Sequence, residues 1–272
     1  MIDAGGKTVI PGLNDLHTHV IREGLNYNME LRWDGVTSLK RAMEMLKEQA
    51  ARTPESQWVK VVGGGSEHQF EEKRLPTLAE INAAVADKPI FFLYLYGLGY
   101  LNKKGVETLG YNKDTKFTDG VVELDANGQP TGLLVAKPNA MALYFTLGKT
   151  NKLSHIDQLN PTQHYHHALN RLGITRAIDA GGGQAYPDDH GVSIKLAKEG
   201  KITVRTSYYL FAQKPGKELE AFQRWTKLTQ QTRTTTCCTR TATTPKAVAK
   251  TSCGAREISR TSSNRFPPCR RI

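Results

Sequence analysis

Short apolar or β-branched runs alternate with helical periods along most of this chain, and that alternation constrains its fold more than any other feature. Val36 to Arg52 predicts a helix, with Leu39, Met43, Leu46 and Ala50 at three- and four-residue steps and Thr37 or Ser38 as its cap. Trp58 to Val62 predicts a strand, and Leu78 to Val85 a short helix capped by Thr77. Pro89 to Leu95 is a continuous apolar run, the form taken by a parallel strand buried on both faces. Leu101 to Leu109 reads as a helix closed by Gly110. Val121 to Leu134 reads as a hairpin turning at Asn127-Gly128. Two helices, Asn139 to Leu147 and Ile156 to Leu172, lead to a strand from Gly173 that ends in Asp179 and a glycine-rich loop. A helix over His190–Gly200, a strand over Ile202–Leu210 and a helix from Glu218 towards Leu228 complete the pattern. Repeated strand–helix order predicts a parallel sheet with right-handed crossovers.

The stretch richest in chemistry is Val9-Ile10-Pro11-Gly12-Leu13-Asn14-Asp15-Leu16-His17-Thr18-His19. Strand side chains alternate with period two, so His17 and His19 share one face. Neutral imidazoles delivered together can hold one divalent ion, and imidazole suits zinc, iron, nickel and copper. Pro11-Gly12 breaks the chain just before, so the strand starts cleanly. The alternative is a pair of strand histidines packed in a core. Asp179 has two readings: it lines a site at the carboxyl end of its strand, or it caps the following turn. Gly63-Gly64-Gly65-Ser66-Glu67-His68 reads as a βα loop, because no Gly-Lys-Ser/Thr follows to cradle phosphate. His68 there is either a substrate contact or an ordinary exposed loop histidine. His164, His166 and His167 scatter round a helix, only the outer two at three-residue spacing, and read as solvated surface.

Net charge is +11, yet nine of the 37 Lys/Arg and one of the 26 acids fall in residues 230–272, leaving only +3 for the rest. All four cysteines, Cys237, Cys238, Cys253 and Cys269, lie there too, at a spacing that matches no zinc pattern. The segment has almost no large aliphatics and no period, as expected of a basic disordered tail. Thr234-Thr235-Thr236-Cys237-Cys238 is also what GC-rich Asp and Leu codons give when read one base late, so a frame shift after about residue 229 explains the same composition. Phosphate neutralisation by this tail is the polyanion-binding alternative, weakened by its single aromatic, Phe266. No apolar run is long enough to span a bilayer and no secretory leader is apparent, so a soluble cytoplasmic protein is expected.

The Pro-Gly-Leu-x-Asp-x-His-x-His run resembles the first-strand signature of the amidohydrolase superfamily, and Asp3 to Val9 resembles its lead-in. Gly128-Gln129-Pro130-Thr131-Gly132-Leu133-Leu134 and Gly173 to Gly181 are similar to segments of the branch containing N-substituted formamide deformylases and D-aminoacylases. The resemblance covers residues 1–229. It implies an α/β fold, a TIM-type (β/α) barrel, with a metal-dependent site that hydrolyses non-peptide C–N bonds in small amide-type molecules. One or two divalent ions, zinc foremost, lower the pKa of bound water and polarise the carbonyl. His17 and His19 match the family's first ligand pair. The family's N-terminal β-sandwich, its middle-strand lysine or acid, two later histidines and a final aspartate find no match. With about five candidate strands in place of eight, the expectation is an incomplete barrel over residues 1–229, a hairpin insertion, an irregular tail over 230–272, and no catalysis by the chain as it stands.

Overall fold

A computed structural model of the chain describes residues 3–181, 184–210, 212, 214 and 216–227. The basic segment 230–272, with its cysteines and the site of the expected frame shift, lies outside the described residues. Strand β1 (Leu13–Thr18) runs directly into helix α1 (Val20–Asn26). The chain then leaves to build a separate sheet. β2 (Glu30–Leu31), α2 (Leu39–Arg52), β3 (Val59–Val62), α3 (Leu78–Ala84) and β4 (Ile90–Tyr94) form two parallel crossover units. β4 turns straight back into antiparallel β5 (Leu98–Leu101), followed by α4 (Lys103–Leu109). The hairpin of β6 (Gly120–Leu124) and β7 (Pro130–Ala136) adds to β5, giving the order β2-β3-β4-β5-β7-β6. Helices α5 (Met141–Lys149) and α6 (Leu159–Arg171) bring the chain back to β8 (Ile174–Asp179), then α7 (Gly191–Lys198), β9 (Arg205–Tyr208) and α8 (Glu218–Trp225). β1, β8 and β9 form a second sheet of three parallel strands, in that order.

Sequence dictates much of this locally. Ser38 caps α2 by accepting the Arg41 N–H, and Thr77 forms a capping box with Glu80 at α3. Ile90 and Phe92 face α2 and α3, in a core with Trp33, Leu46, Phe70 and Ile81, while Phe91 and Leu93 pack the other way against Leu101, Leu134 and Leu143. β4 is therefore buried on both faces, as its continuous apolar run predicts. Each fully buried aromatic of this kind contributes about 1.5–3 kcal/mol relative to exposure. The hairpin turns where Asn127-Gly128 predicts: Asp125 Oδ1 accepts the Asn127 and Gln129 N–H groups, and Gly128 has φ +74°. The glycine of the Pro-Thr-Gly segment has a backbone reason. Gly132 sits at φ +103°, and a Cβ there would collide with the Leu101 carbonyl oxygen.

The expected single incomplete barrel is corrected in part. The strands anticipated around residues 13–18, 59–62, 90–94, 174–179 and 205–208 all form and all make parallel pairs, but they divide between two sheets. No closed barrel is found among the described residues. The physical cause is the turn at Leu95–Gly97. By folding the chain straight back from β4 instead of crossing over through a helix, it extends the larger sheet with antiparallel β5, β7 and β6, while β8 pairs with β1. Among the described residues, no helix is long and apolar enough to cross a membrane.

Candidate metal centre

Parallel strands put their carboxyl ends on one edge, and β1, β8 and β9 bring His17, His19, Asp179 and Tyr208 to that edge. The lead-in of β1 is pinned at Gly12, where a Cβ would collide with the Thr175 side chain of β8, and by the Leu13 N–H donating to the Gly173 carbonyl at 2.9 Å. Thr18 pairs in register with Asp179, and its hydroxyl lies 3.2 Å from the Tyr165 hydroxyl of α6. That face of β1 is turned towards the helices and, because the register is irregular between Asp15 and Thr18, it also carries Asp15, which pairs with buried Ala177; His17, next to Thr18, stands on the opposite face. Asp15 Oδ1 accepts the His17 N–H at 3.0 Å.

His17 is exposed and His19 half-buried; their rings lie 5.8 Å apart between centroids, at 66° to each other. His19 is the first residue beyond the strand and the N-cap position of α1, yet its side chain makes no capping bond. Its Nδ1 is buried without a hydrogen-bond partner. An imidazole nitrogen left so costs about 1–3 kcal/mol of lost hydration. A divalent cation is the partner that a lone imidazole acceptor beside a second, exposed imidazole fits. Among the described residues, no group of three or more His, Cys, Asp or Glu converges on one point, so these two histidines alone would fill only part of a coordination shell.

Asp179 is buried among polar backbone groups. Its Oδ2 accepts the Ile21 N–H at 2.8 Å and its Oδ1 the Gly181 N–H at 3.0 Å. It therefore caps the turn after β8 and also reaches across to the first turn of α1. It shares the helix-facing side of β8 with buried Ala177, not the face that carries His17. A second clamp holds α1 from the other sheet. Arg22 donates twice to Glu30, at 2.6 and 3.0 Å, and the Glu30 side chain is 1% exposed. Burial pushes the Glu30 carboxyl up, against the pull of Arg22. In register with Glu30, Lys60 is buried and donates to the Asn151 carbonyl at 2.7 Å; burial pushes its amine down to about 8.

His68 sits on the loop after β3, in the other sheet, with its side chain 88% exposed and Nε2 3.7 Å from Glu67. Among the described residues, no hydrogen bond or ring contact joins it to His17 or His19. The α6 histidines divide. His164 Nδ1 lies 3.1 Å from Asn28 Oδ1 and His167 is exposed, but His166 is 1% exposed, correcting the solvated-surface expectation at that position. Helical spacing alone does not show that this side of α6 packs under Val204, whose N–H donates to His166 Nδ1 at 3.4 Å.

Sequence reasoning missed an aromatic group at the same sheet edge. His190 is buried with its ring 4.8 Å from Tyr208 and 5.2 Å from Tyr186, and the two tyrosines stack at 6.0 Å. Burial pushes His190 down, opposed by the Ala185 carbonyl, Asp179 and Asp189. Burial, with Tyr186 beside it, pushes Tyr208 up to about 12. The available signal was positional: Tyr208 ends a parallel strand, where functional side chains gather.

A sequence model of the amidohydrolase family matches residues 1–250, and so runs past residue 229. The chain is 28% identical over 144 residues to YtcJ of Bacillus subtilis, which is 52% of this chain and 27% of that one. It is 26% identical over 138 residues to an N-substituted formamide deformylase of Arthrobacter pascens, 50% of this chain and 25% of that one. The matched stretch thus spans about a quarter of these curated relatives. A crystal structure of an uncharacterized metal-dependent hydrolase from Pyrococcus horikoshii aligns with a TM-score of 0.49 and 20% identity, over 79% of this chain and 38% of that chain.

Proposed function

The chain belongs to the amidohydrolase family, and on that premise we propose that it carries the opening part of a metal-dependent hydrolase of C–N bonds in small amide-type molecules. The observation that carries this reading is the buried, unpartnered Nδ1 of His19 beside exposed His17 at the carboxyl end of β1. When bound, a divalent ion, zinc first in order, supplies a water of lowered pKa and a polarised carbonyl. His17 and His19 would hold it as neutral imidazoles. The β1–β8–β9 sheet, with its helices on one side, stands for the start of a (β/α) barrel, and the six-stranded sheet for an insertion between its first and second strands. The deformylase relative points to N-substituted formamides as the substrate class. His68 is assigned to substrate and not to metal.

Two imidazoles make a weak site, and with no third ligand converging among the described residues we expect this chain alone to bind metal without turnover. The test is a Zn²⁺ and Co²⁺ titration of the purified 272-residue protein, followed by an assay for amine release from an N-substituted formamide. Binding should vanish in His17→Ala and His19→Ala, and amine release should equal that of metal alone. Binding indifferent to both substitutions overturns the site. Chelator-sensitive release that His17→Ala abolishes overturns the expected inactivity.

A further inference from the structure

We propose that Asp179 is a positioning residue for the metal pair, acting on His19 through the first turn of α1; this rests on the metal-site reading above. His19 is the N-cap position of α1 and its carbonyl accepts the Glu23 N–H at 2.9 Å, so the backbone of His19 belongs to that helix turn. The turn lacks the usual local cap, because the His19 side chain bonds none of its N–H groups. Asp179 fills that role from 158 positions away: its Oδ2 accepts the Ile21 N–H, at the second residue of the helix. The same carboxylate holds the Gly181 N–H, and the Thr18 carbonyl accepts the Ala180 N–H at 2.8 Å. The end of β8 is thereby tied to the residues on both sides of His19. Asp179 is 3% exposed, so water does not readily replace these bonds. Left to itself, a seven-residue helix is too short to fix where its N-cap points. The carboxylate thus sets the aim of the His19 ring without standing on the face that carries His17.

The assay is Co²⁺ binding, followed by visible absorption, in the wild-type chain, Asp179→Asn, Asp179→Ala, and Thr77→Ala as a control that loosens only the α3 cap in the other sheet. Asparagine keeps one acceptor, so Asp179→Asn should remain folded by circular dichroism, bind Co²⁺ about tenfold or more weakly, and alter the ligand-field spectrum at saturation. Thr77→Ala should lower the melting temperature and leave both metal readouts unchanged. In the unmutated chain, metal should slow amide exchange at Ile21 and leave Val59 unaffected, because coupling between the two is reciprocal. Wild-type affinity and spectrum in Asp179→Asn, or unchanged Ile21 exchange, overturns the proposal while the metal site stands. Wild-type Co²⁺ binding that does not depend on His17 and His19 overturns the metal-site reading, and this proposal with it.

Discussion

His166 lies on α6 with 1% of its surface exposed, accepts the Val204 N–H through Nδ1, and has a buried Nε2 without a partner. Burial pushes its pKa down to about 4, with His167 nearby acting in the same direction. In the unfolded chain the value returns to about 6.5. The unfolded state therefore binds the proton first. The contribution of neutral His166 to stability is fully present above pH 6.5 and is lost as pH falls towards 4. At 1.36 kcal/mol per pH unit, the gap from 6.5 to about 4 is worth about 3 kcal/mol, of which about 2 kcal/mol is gone by pH 5. Against a typical stability of about 5–15 kcal/mol, that is a large share. Urea unfolding followed by circular dichroism between about pH 7.5 and pH 5 measures it. The comparison protein is His166→Gln, whose amide oxygen can still accept the Val204 N–H. It should start less stable, and its loss on acidification should be smaller by about 2 kcal/mol. His190, also pushed down by burial, adds a slope of the same sign to both proteins and cancels in the difference. Identical pH slopes in the two proteins would refute the assignment.

Two further substitutions bear on the fold. Gly132→Ala places a Cβ against the Leu101 carbonyl at φ +103°, and should cost about 3 kcal/mol in urea unfolding, since strain at such positions runs to about 1–3 kcal/mol before any clash; a loss below about 1 kcal/mol would mean that β5 and β7 are not so close. Glu30→Gln removes one of the two carboxylates that hold Arg22, leaving Glu23 at 2.7 Å, and should destabilise by about 1.5–3 kcal/mol. A change of only a few tenths would show the pair to be solvated like a surface bridge, for which about 0–1 kcal/mol is usual.

Local sequence made some elements legible and hid others for reasons that can be named. Pro89 to Leu95 declared a doubly buried strand because every position is apolar, and Asn127-Gly128 declared its turn because few other pairs accept that backbone. β5 was missed between the expected strand ending at Leu95 and the expected helix from Leu101, which it overlaps only at Leu101. Four residues are too few to show a period, although Asn102, which caps α4 by accepting the Gly105 N–H, marked the true start. α1 and the two-residue β2 carry no strong local signature. They are held by Arg22–Glu30 and by Asp179, partners distant in sequence. At the candidate site, His17 and His19 were legible from their spacing, and Asp179 as an acid at a strand end. Its bond to Ile21 was not, because nothing near Ile21 hints at it. His166 and His190 were misjudged or overlooked because burial is a property of packing, invisible to helical spacing.

The pairing of β1 with β8 also sets an order in time. Ile21 and Asp179 are separated by 158 positions, so a ribosome adding about 5–20 residues per second needs roughly 8–30 s between them. Throughout that interval β1 has no neighbouring strand. The segment from β2 to β7, whose strands pair with one another, can close its own sheet as it emerges. The strand that carries His17 and leads into His19 is therefore made before the larger sheet and ordered after it. Until β8 arrives, the backbone N–H and C=O groups along β1 remain open to whatever factors attend the nascent chain.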